Sequence, residues 1–217
     1  HNRNLVLQTI FAHTAISRAE IARITKLTRT TVSEVVSGLL TAGLVEEVGL
    51  GASIGGKSPI LLSIVPDSRY LLGLNLSQDK FIGAVVNLRG ELKETVEIDI
   101  NDANSERSLE LVYQIIQQLI DTNRRPIVGI GVGTPGLVDT REGVVNLAVN
   151  LAWQNLPLGK LLQARFHLPV IILNDSQSTA IGEFVYGGGH KADSNLVVVT
   201  LRQGIGAGIL INGKLFQ

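Results

Sequence analysis

The chain lacks cysteine altogether, and its 19 basic residues balance its 19 acidic residues, so its formal net charge is zero. The absence of cysteine excludes disulfides and thiolate metal sites within these residues. Zero net charge excludes a diffuse basic surface, so any affinity for nucleic acid must come from a local patch. The chain also lacks a secretory signal and an apolar run of membrane-spanning length. These absences predict a cytoplasmic protein of bacterial type.

The chain does have a large apolar fraction, 45% of its 217 residues, which is enough for sizeable cores in one large or two smaller domains. Proline and small polar residues interrupt the pattern at residues 65–68. We therefore predict one domain over residues 1–66 and a second over residues 67–217. The chain begins at His1 without methionine and stops just after a strand-like segment, so we expect it to be a fragment.

Residues 17–47 carry the signals of two short helices joined by a tight turn. Ser17 is a good N-cap, and Glu20, three positions on, completes a capping box. Thr28 is a second N-cap candidate, and the helix after it is expected to run to about Ala42, with Gly43 as its stop. Caps, turn and second helix in this order are typical of helix-turn-helix units that read DNA.

The second helix is expected to bury valine and leucine on one face and to present polar side chains near its N-terminal end, which enters the major groove in such proteins. Hydroxyls and arginine suit hydrogen bonding to phosphates and base edges, and threonine methyl groups can contact thymine methyls. The predicted DNA-binding residues of the helix pair are Arg18, Thr28, Arg29, Thr30, Thr31 and Ser33.

A glycine-rich segment lies between two short strands that are expected over residues 44–48 and 60–64. This pattern predicts a winged hairpin after the helix pair. Gly56 and Lys57 at its tip complete the predicted DNA contacts, because a tip with little bulk and one cation can approach a minor groove or a phosphate. The alternative, that the helix pair and hairpin are only a packing unit, stays open at this point.

Beyond residue 67 the pattern becomes that of an α/β domain. Strands are expected over residues 70–76, 81–88, 91–98 and 127–132, with a helix over residues 105–121. The first three strands predict an antiparallel meander. Three strands, a helix and a strand in this order occur in each lobe of actin-like, ribonuclease-H-like ATPases, which is a fold-level analogy.

Several motifs in sequence order carry a family resemblance. They are GGKSP in the wing, GVGTPGLVD (131–139), NLAWQNLPL (150–158), ILND (172–175), GEFVYG (182–187) and VVVTLRQGIGAGILINGKL (197–215). With the helix pair, they resemble the ROK family of repressors, open reading frames and kinases over nearly the whole chain. A winged helix ahead of an actin-like, ribonuclease-H-like sugar-kinase-type domain implies the repressor branch, with the C-terminal part of that domain absent from this chain.

The resemblance also implies where kinase chemistry is lost. Family kinases carry an Asp and a Gly-Gly-Thr turn, because glycines let backbone N–H groups approach ATP phosphates. The matching stretch here, Asn75 to Asp79, has no glycine, and the second phosphate loop appears as residues 202–206 with Arg and Gln where close approach is needed. We therefore expect no catalytic residue and no enzymatic activity. Gly204, Gly206 and Gly208 are interpreted as serving a tight hairpin.

The sugar side of the family's site is better preserved. Asn174 and Asp175 follow an apolar strand and precede a helix, and the resemblance places both in a cleft, where Asp175 matches the catalytic base of the kinases. A carboxylate beside a carboxamide can bind vicinal hydroxyls without a cofactor. Gly136 matches a position where the backbone passes close to the sugar, and Asn150 is a candidate for the same wall. Alternatively, Asp175 merely N-caps the helix.

The family's remaining features, a Glu and a His of the sugar site and a Cys-rich zinc motif, lie beyond the end of this chain. His190 is not that zinc ligand and is expected in an exposed loop, so no metal and no cofactor is assigned within these residues. Glu183 is expected to be a solvated helix residue.

The resulting prediction is a DNA-binding repressor of sugar metabolism in which residues 1–66 bind operator DNA and the remainder senses a sugar or sugar derivative. A homodimer or higher homo-oligomer is expected, since winged regulators read paired half-sites, and no membrane partner is expected. One alternative is a ROK-type sugar kinase with an appended DNA-binding domain. Another is a repressor controlled by a protein partner.

Overall fold

The computed structural model describes residues 1–52, 58–100, 104–188, 194–201 and 204–216. The chain divides into two compact units, His1–Arg69 and Tyr70–Gln217, so the predicted boundary lies three residues before the division. Among the described residues, no helix is both long and apolar enough to cross a membrane. Several residues singled out from the sequence lie outside the described ranges, namely Gly56, Lys57, His190, Arg202 and Gln203.

The first unit, within its described residues, packs three helices against a small antiparallel sheet. The elements are α1 (Asn2–Phe11), β1 (Ile16–Ser17), α2 (Arg18–Thr25), α3 (Arg29–Thr41), β2 (Val45–Leu50) and β3 (Ile60–Ile64). The strand order is β1-β3-β2. Every helix contributes to the core, which includes Ile10 of α1, Ile21 of α2 and Leu39 of α3. The sequence patterns do not predict α1 or β1, because α1 has no clear apolar period and β1 is very short.

Local hydrogen bonds explain where α2 and α3 begin. The Ser17 hydroxyl accepts from the Glu20 N–H at 3.2 Å while Glu20 Oε2 accepts from the Ser17 N–H at 3.2 Å, which is the predicted capping box. Thr28 Oγ1 accepts from the Thr31 N–H at 3.2 Å and caps α3, as predicted. Lys26 adopts a left-handed conformation, with φ of 57°, and turns the chain between the helices.

The end of α3 is set by Gly43. Helix α3 stops at Thr41, one residue before the predicted end, and Gly43 takes a φ of 65° that favours glycine. The Gly43 N–H donates to Leu40 O, and the Leu44 N–H donates to Leu39 O at 3.0 Å. These two bonds form a Schellman motif that satisfies the last carbonyls of the helix and directs the chain into β2.

The second unit is an α/β domain around a mixed sheet. Its elements before the last strand of that sheet are β4 (Tyr70–Leu76), β5 (Lys80–Asn87), β6 (Leu92–Asp99), α4 (Ser105–Thr122), β7 (Ile127–Thr134), β8 (Leu137–Asp139), β9 (Val144–Ala148), β10 (Trp153–Leu156) and α5 (Leu158–Phe166). The elements that follow are β11 (Val170–Asn174), α6 (Asp175–Tyr186), β12 (Leu196–Leu201), β13 (Ile205–Ile211) and β14 (Lys214–Leu215).

The mixed sheet has the strand order β11-β7-β4-β5-β6 among the described strands. Strands β4, β5 and β6 form the predicted antiparallel meander, while β7 runs parallel to β4 and β11 runs parallel to β7. Helix α4 covers one face, where Ile115 fits against Gly83 of β5. The register pairs Asn75 with Gly133 and Thr134 with Asn174, so the carboxyl ends of the parallel strands meet at one edge.

Helix α6 also packs on a second sheet, of order β12-β13-β14 among the described strands. The β12–β13 hairpin is the arrangement expected for the glycine-rich segment, with Leu201 opposite Ile205. A Cβ at Gly206 would collide with Ser176 Oγ, and one at Gly208 would collide with Ser176 O. These two glycines therefore let the N-terminal turn of α6 lie directly on β13.

Candidate functional site

A cleft of about 660 Å³ opens in the second unit where the parallel strands end. It is lined by the residues that follow β4 and β7 and by the junction of β11 and α6. The four residues predicted to contact sugar all line it, namely Gly136, Asn150, Asn174 and Asp175. The structure thus brings together residues that are far apart in the sequence, since Gly136 and Asp175 are separated by 39 positions. Their role in binding stays a prediction.

Asn174 organises the β11–α6 junction. Its Oδ1 accepts from the Ser176 N–H at 3.0 Å, which caps α6, and its Nδ2 donates to Gly136 O at 2.9 Å. The side chain of Gln177 completes a capping box by accepting from the Asn174 N–H. Asn174 therefore joins the helix N-terminus to the segment after β7, and both elements wall the cleft.

Asp175 is the first residue of α6 rather than its cap, so the alternative that Asp175 is the N-cap is wrong. Its Oδ1 accepts from the Ser176 N–H at 2.8 Å. Within the described part of the chain, Oδ2 has no hydrogen-bond donor. A half-buried carboxylate that lines the cleft and has one oxygen anchored is suited to accept a hydrogen bond from a hydroxyl group with the other.

Gly136 is required by close backbone packing. It has a φ of 95°, and a Cβ there would collide with Leu147 O of β9. A side chain is excluded at Gly136 because this φ strains residues other than glycine and because the Cβ would have no room. The backbone of Gly136 can therefore run along the cleft wall with its carbonyl fixed by Asn174.

The cleft is also lined by the β4–β5 turn and the end of β6, of which the family resemblance singles out only the stretch up to Asp79. Asp79, Lys80 and Asp99 line the cleft there. The Ser77 hydroxyl donates to Lys80 O at 2.6 Å and accepts from the Lys80 N–H at 3.3 Å, which closes the turn. The register of the meander places Lys80 opposite Asp99. Only the pairing of β5 with β6 could have predicted that these two residues meet, because no local motif contains both.

Lys80 forms an exposed ion pair beside the cleft. Its Nζ lies 2.6 Å from Glu97 Oε2. The hydrogen bond to Glu97 raises the pKa of Lys80, and the charges of Glu97 and Asp99 act in the same direction. Because the pair is exposed, water and salt screen it.

Asn75 does not join the cleft. It faces a separate groove of about 340 Å³ together with Ile82, Gly133 and Ser178. Glu183 is exposed and accepts from the Gly188 N–H at 3.0 Å, as expected for a solvated residue. Over the described ranges, no group of three or more His, Asp or Glu side chains is placed to hold a metal ion.

The first unit presents a polar surface at the N-terminal end of α3. Arg29, Thr30 and Ser33 are exposed there. A groove of about 430 Å³ between α2, α3 and the hairpin brings Arg18, Arg29 and Ser33 together with Ser58. Three residues of the predicted DNA-binding set thus share one groove.

Three of the predicted contacts, Thr28, Thr31 and Arg18, have side-chain partners within the first unit. Thr28 Oγ1 caps α3 and lies 2.9 Å from Thr31 Oγ1, so both hydroxyls serve the helix start. The Arg18 guanidinium donates to Glu47 Oε1 of β2 at 3.0 Å, which ties α2 to the hairpin. Sequence reasoning missed Glu47, because its partner lies 29 positions away.

The mixed sheet with α4 and α6, and the cleft at its edge, define an α/β domain of the sugar-kinase-like class. The ROK family model matches residues 71–217. The chain belongs to the ROK family. It is 36% identical to the xylose repressor of Caldicellulosiruptor bescii over its whole length, which covers 55% of that protein.

Solved structures agree with this assignment. A ROK family transcriptional regulator, described as a homolog of the Escherichia coli MLC protein, superposes with a TM-score of 0.86 and 25% identity, over 100% of this chain and 55% of that one. A ROK glucokinase from Streptomyces griseus, in complex with glucose and AMPPNP, has a TM-score of 0.62 and 26% identity over 68% of this chain and 46% of its own. The chain spans about half the length of these relatives.

Proposed function

We propose that this protein is a transcriptional repressor of sugar metabolism whose binding to operator DNA is modulated by a sugar or sugar derivative bound in the cleft. The observation that carries this proposal is the extent of the similarity. The ROK regulator matches 100% of this chain, whereas the ROK glucokinase matches 68% of it. The similarity to a named xylose repressor likewise spans the whole chain, including His1–Arg69.

The first unit is proposed to act as a winged helix-turn-helix. Helix α3 would enter the major groove with Arg29, Thr30 and Ser33, which are exposed at its N-terminal end. Arg18, held by Glu47, would contact a phosphate beside them. Thr28 and Thr31 would act by shaping the helix start rather than through free hydroxyls. Gly56 and Lys57, which lie outside the described residues, remain proposed minor-groove or phosphate contacts.

The second unit is proposed to bind the effector through Asp175, Asn174, Gly136 and Asn150. Oδ2 of Asp175 would accept a hydrogen bond from a sugar hydroxyl, and the fixed backbone at Gly136 would form part of the cleft wall. Binding can change operator affinity only if the effector prefers one of the DNA-competent and DNA-incompetent states. We expect the repressor to act in the cytoplasm as a homodimer or higher homo-oligomer on paired half-sites, with no cofactor held by these residues.

Asp175→Asn tests the effector site. The change keeps the shape of the side chain but removes the charge that strengthens a hydrogen bond from a sugar hydroxyl. We expect operator binding in gel shifts to be unchanged and release by sugar to be lost. Asp121→Asn is the matched control, because Asp121 lies on the exposed face of α4, where it accepts a hydrogen bond from Gln117 of the same helix. An Asp175→Asn protein that still responds to sugar would overturn the assignment.

Arg29→Ala tests the DNA-reading helix. If Arg29 contacts a base, its loss should weaken operator binding by about 1–3 kcal/mol. If Arg29 contacts a phosphate, its loss should reduce the salt slope, which is the slope of the logarithm of the binding constant against the logarithm of the salt concentration, by about 1. Arg107→Ala, at an exposed position of α4, is the control. Unaltered affinity and salt slope for Arg29→Ala would rule out α3 as the groove-facing helix.

The alternative function is a ROK-type sugar kinase with an appended DNA-binding unit, which the similarity to the glucokinase favours. Two features of the β4–β5 turn argue against ATP binding by a kinase. The turn has no glycine, and its Lys80 N–H already donates to the Ser77 hydroxyl rather than to a phosphate. A coupled assay with ATP and a panel of hexoses separates the two functions. We expect background turnover, and sugar-dependent turnover that is lost in Asp175→Asn would establish the kinase instead.

A further inference from the structure

Two large aliphatic side chains are exposed together on the hairpin of the first unit. Leu50 of β2 is 69% exposed and Ile60 of β3 is 37% exposed, and the strand register sets them directly opposite one another. Residues that are directly opposite in an antiparallel pair point to the same face of the sheet. Leu50 and Ile60 therefore form one apolar patch, which we call the hairpin pair.

The hairpin pair lies on the face of the sheet that packs on the helices. Side chains two residues apart in a strand share a face, and Leu62 and Ile64, which follow Ile60 at this spacing, are buried in the core. The pair thus continues the core-facing side of the hairpin beyond the part that the helices cover.

A β-bulge brings Leu50 to this face. The register shifts by one residue between Glu47 and Gly49, so Val48 is the extra residue of β2. Without the extra residue Leu50 would point to the other face, because side chains alternate along a strand. Bulges commonly re-aim a side chain close to a functional site. Here the bulge places Leu50 beside Ile60.

The hairpin pair adjoins the groove of about 430 Å³ between the helices and the hairpin, since Ile60 lines that groove together with Pro59. Among the described lining residues, the charged ones are Arg18 and Arg29, both of them cations. The ion pair of Arg18 with Glu47 is exposed, so water screens it and a second anion can still approach Arg18. The groove therefore combines apolar and cationic surface.

The backbone of a DNA strand matches this combination. It carries a phosphate anion at every nucleotide, and the deoxyribose between successive phosphates presents C–H groups at its edge. Proteins that enter the minor groove often place aliphatic side chains there. A second copy of this chain fits less well, because an isologous contact would bring two cationic surfaces together.

We propose that this groove seats one strand of operator DNA, with Arg18 at a phosphate and with Leu50 and Ile60 against the minor-groove edge of a deoxyribose. This inference rests on the proposed function and adds to it a contact that is independent of base sequence and selects deoxyribose over ribose. A ribose 2′-hydroxyl lies in the minor groove. Against the hairpin pair, that hydroxyl would lose water without gaining a hydrogen-bond partner.

Leu50→Thr combined with Ile60→Thr tests the hairpin pair, because threonine suits a strand but offers less apolar surface. The probe is a duplex of about 30 base pairs, long enough for two half-sites, that the full natural chain selects from a random-sequence pool. Fluorescence anisotropy measures its affinity. We expect the double variant to bind about tenfold more weakly, with the salt slope unchanged because no charge is removed. Arg18→Ala should instead reduce the salt slope by about 1.

Leu92→Thr is the matched control, because Leu92 of β6 is 68% exposed and belongs to the second unit. It should bind the duplex as the natural chain does. A double variant that binds as tightly as the natural chain would overturn the inference. If sedimentation showed that the double variant changes the oligomeric state while its affinity for the duplex is unchanged, the groove would be a contact between copies and the inference would again be wrong.

Single ribonucleotides, placed in turn along each strand of the same duplex, test the sugar contact. We expect one or more positions where ribose weakens binding of the natural chain by about tenfold. At those positions the double variant should lose much less, because the threonine hydroxyls can pair with the 2′-hydroxyl. Equal losses in the two proteins at every position would contradict the contact with deoxyribose. The scan of the natural chain needs no variant, so a folding defect cannot produce the effect.

Failure of this inference can be distinguished from failure of the proposed function. If the natural chain selects no duplex from the pool, the proposed function is overturned and the backbone contact falls with it. If a duplex is selected but neither the double variant nor ribose weakens its binding, the contact by Leu50 and Ile60 is wrong while a DNA-binding repressor remains.

Discussion

Asn174 shows how a single side chain can serve both the fold and the proposed site. Its Oδ1 caps α6 and its Nδ2 donates to Gly136 O, so one carboxamide joins the helix start to the cleft wall at Gly136. Asp175 beside it accepts from the same Ser176 N–H through Oδ1. The two roles of Asn174 can be separated, because serine can supply a capping oxygen but is too short to reproduce both contacts.

Asn174→Ala should lower the free energy of unfolding by about 1 kcal/mol, because it removes the cap of α6. Asn174→Ser should cost only a few tenths of a kcal/mol, since serine is a comparable N-cap. Both variants should weaken sugar binding, because the tie to Gly136 is lost in each. Urea unfolding and calorimetric titration measure the two effects, and equal stability losses in both variants would contradict the capping role.

Glu20 gives a pH-dependent prediction in the first unit. Hydrogen bonds from the Ser17 backbone and hydroxyl, assisted by the charge of Arg23, hold the pKa of Glu20 below its ordinary value of 4.5. A lowered folded-state pKa contributes stability that is present above the unfolded value and is lost as pH falls through the folded value. The carboxylate is largely exposed, so the contribution is at the small end of the range for a charged group at a helix start, about 0.3 kcal/mol.

We therefore expect Glu20→Gln to be slightly less stable than the natural chain at neutral pH, and this difference to shrink at pH values below 4.5. Hydrogen exchange of the α2 amides, compared between the two proteins at each pH, measures it. A difference of the same size at both pH values would show that the charge of Glu20 does not contribute through the capping box.

At the scale of elements, α6 joins the two sheets of the second unit. Its first turn follows β11 of the mixed sheet and lies on β13, and Ser176 Oγ is 2.7 Å from Thr200 Oγ1 of β12. Contact this close depends on the missing side chains at Gly206 and Gly208. A helix fixed to both sheets can transmit a change at the cleft to β12 and β13.

Gly206→Ala should destabilise the second unit by about 1–3 kcal/mol, since its Cβ would overlap Ser176 Oγ. Gly204→Ala is the matched control, because a Cβ there meets no atom of the described residues within 4 Å, and it should be nearly neutral. Removing the opposing oxygen in a Gly206→Ala, Ser176→Ala double variant should recover part of the loss. Thermal unfolding measures all four proteins, and equal effects at positions 204 and 206 would contradict the packing argument.

At the scale of the whole molecule, the chain has two compact units, and the residues assigned to DNA and to sugar fall in different ones. A ligand that binds only the native state stabilises it by about 2.7 kcal/mol when its concentration is 100 times its dissociation constant. The proposed function places this stabilisation in residues 70–217.

We expect saturating sugar to raise hydrogen-exchange protection most in β11 and α6 and to leave the core of α2 and α3 little changed in the absence of DNA. Mass-spectrometric exchange with and without sugar measures this pattern, with Asp175→Asn as the control that should show no gain. Protection confined to His1–Arg69 would place the ligand in the wrong unit and contradict the proposal.

Interactions between near neighbours in the chain could be predicted from the sequence. The capping box of Ser17 and Glu20, the cap at Thr28 and the stop at Gly43 are each decided within a few residues, so α2 and α3 begin and end close to their predicted bounds. The meander and α4 were also predicted, because their apolar periods are regular. The family motifs located the residues of one cleft wall.

Only the tertiary structure decided which distant residues meet. The presence of Lys80 beside Asp99 at the cleft depends on strand register, and the pairing of Arg18 with Glu47 depends on how the hairpin packs on α2. The cap at Asn174, rather than Asp175, depends on where β11 ends and on the carbonyl of Gly136. Local hydrogen bonds and the apolar periods of helices and strands are determined by short stretches of sequence. The charge and shape of the cleft are determined by contacts between segments that are far apart in the chain.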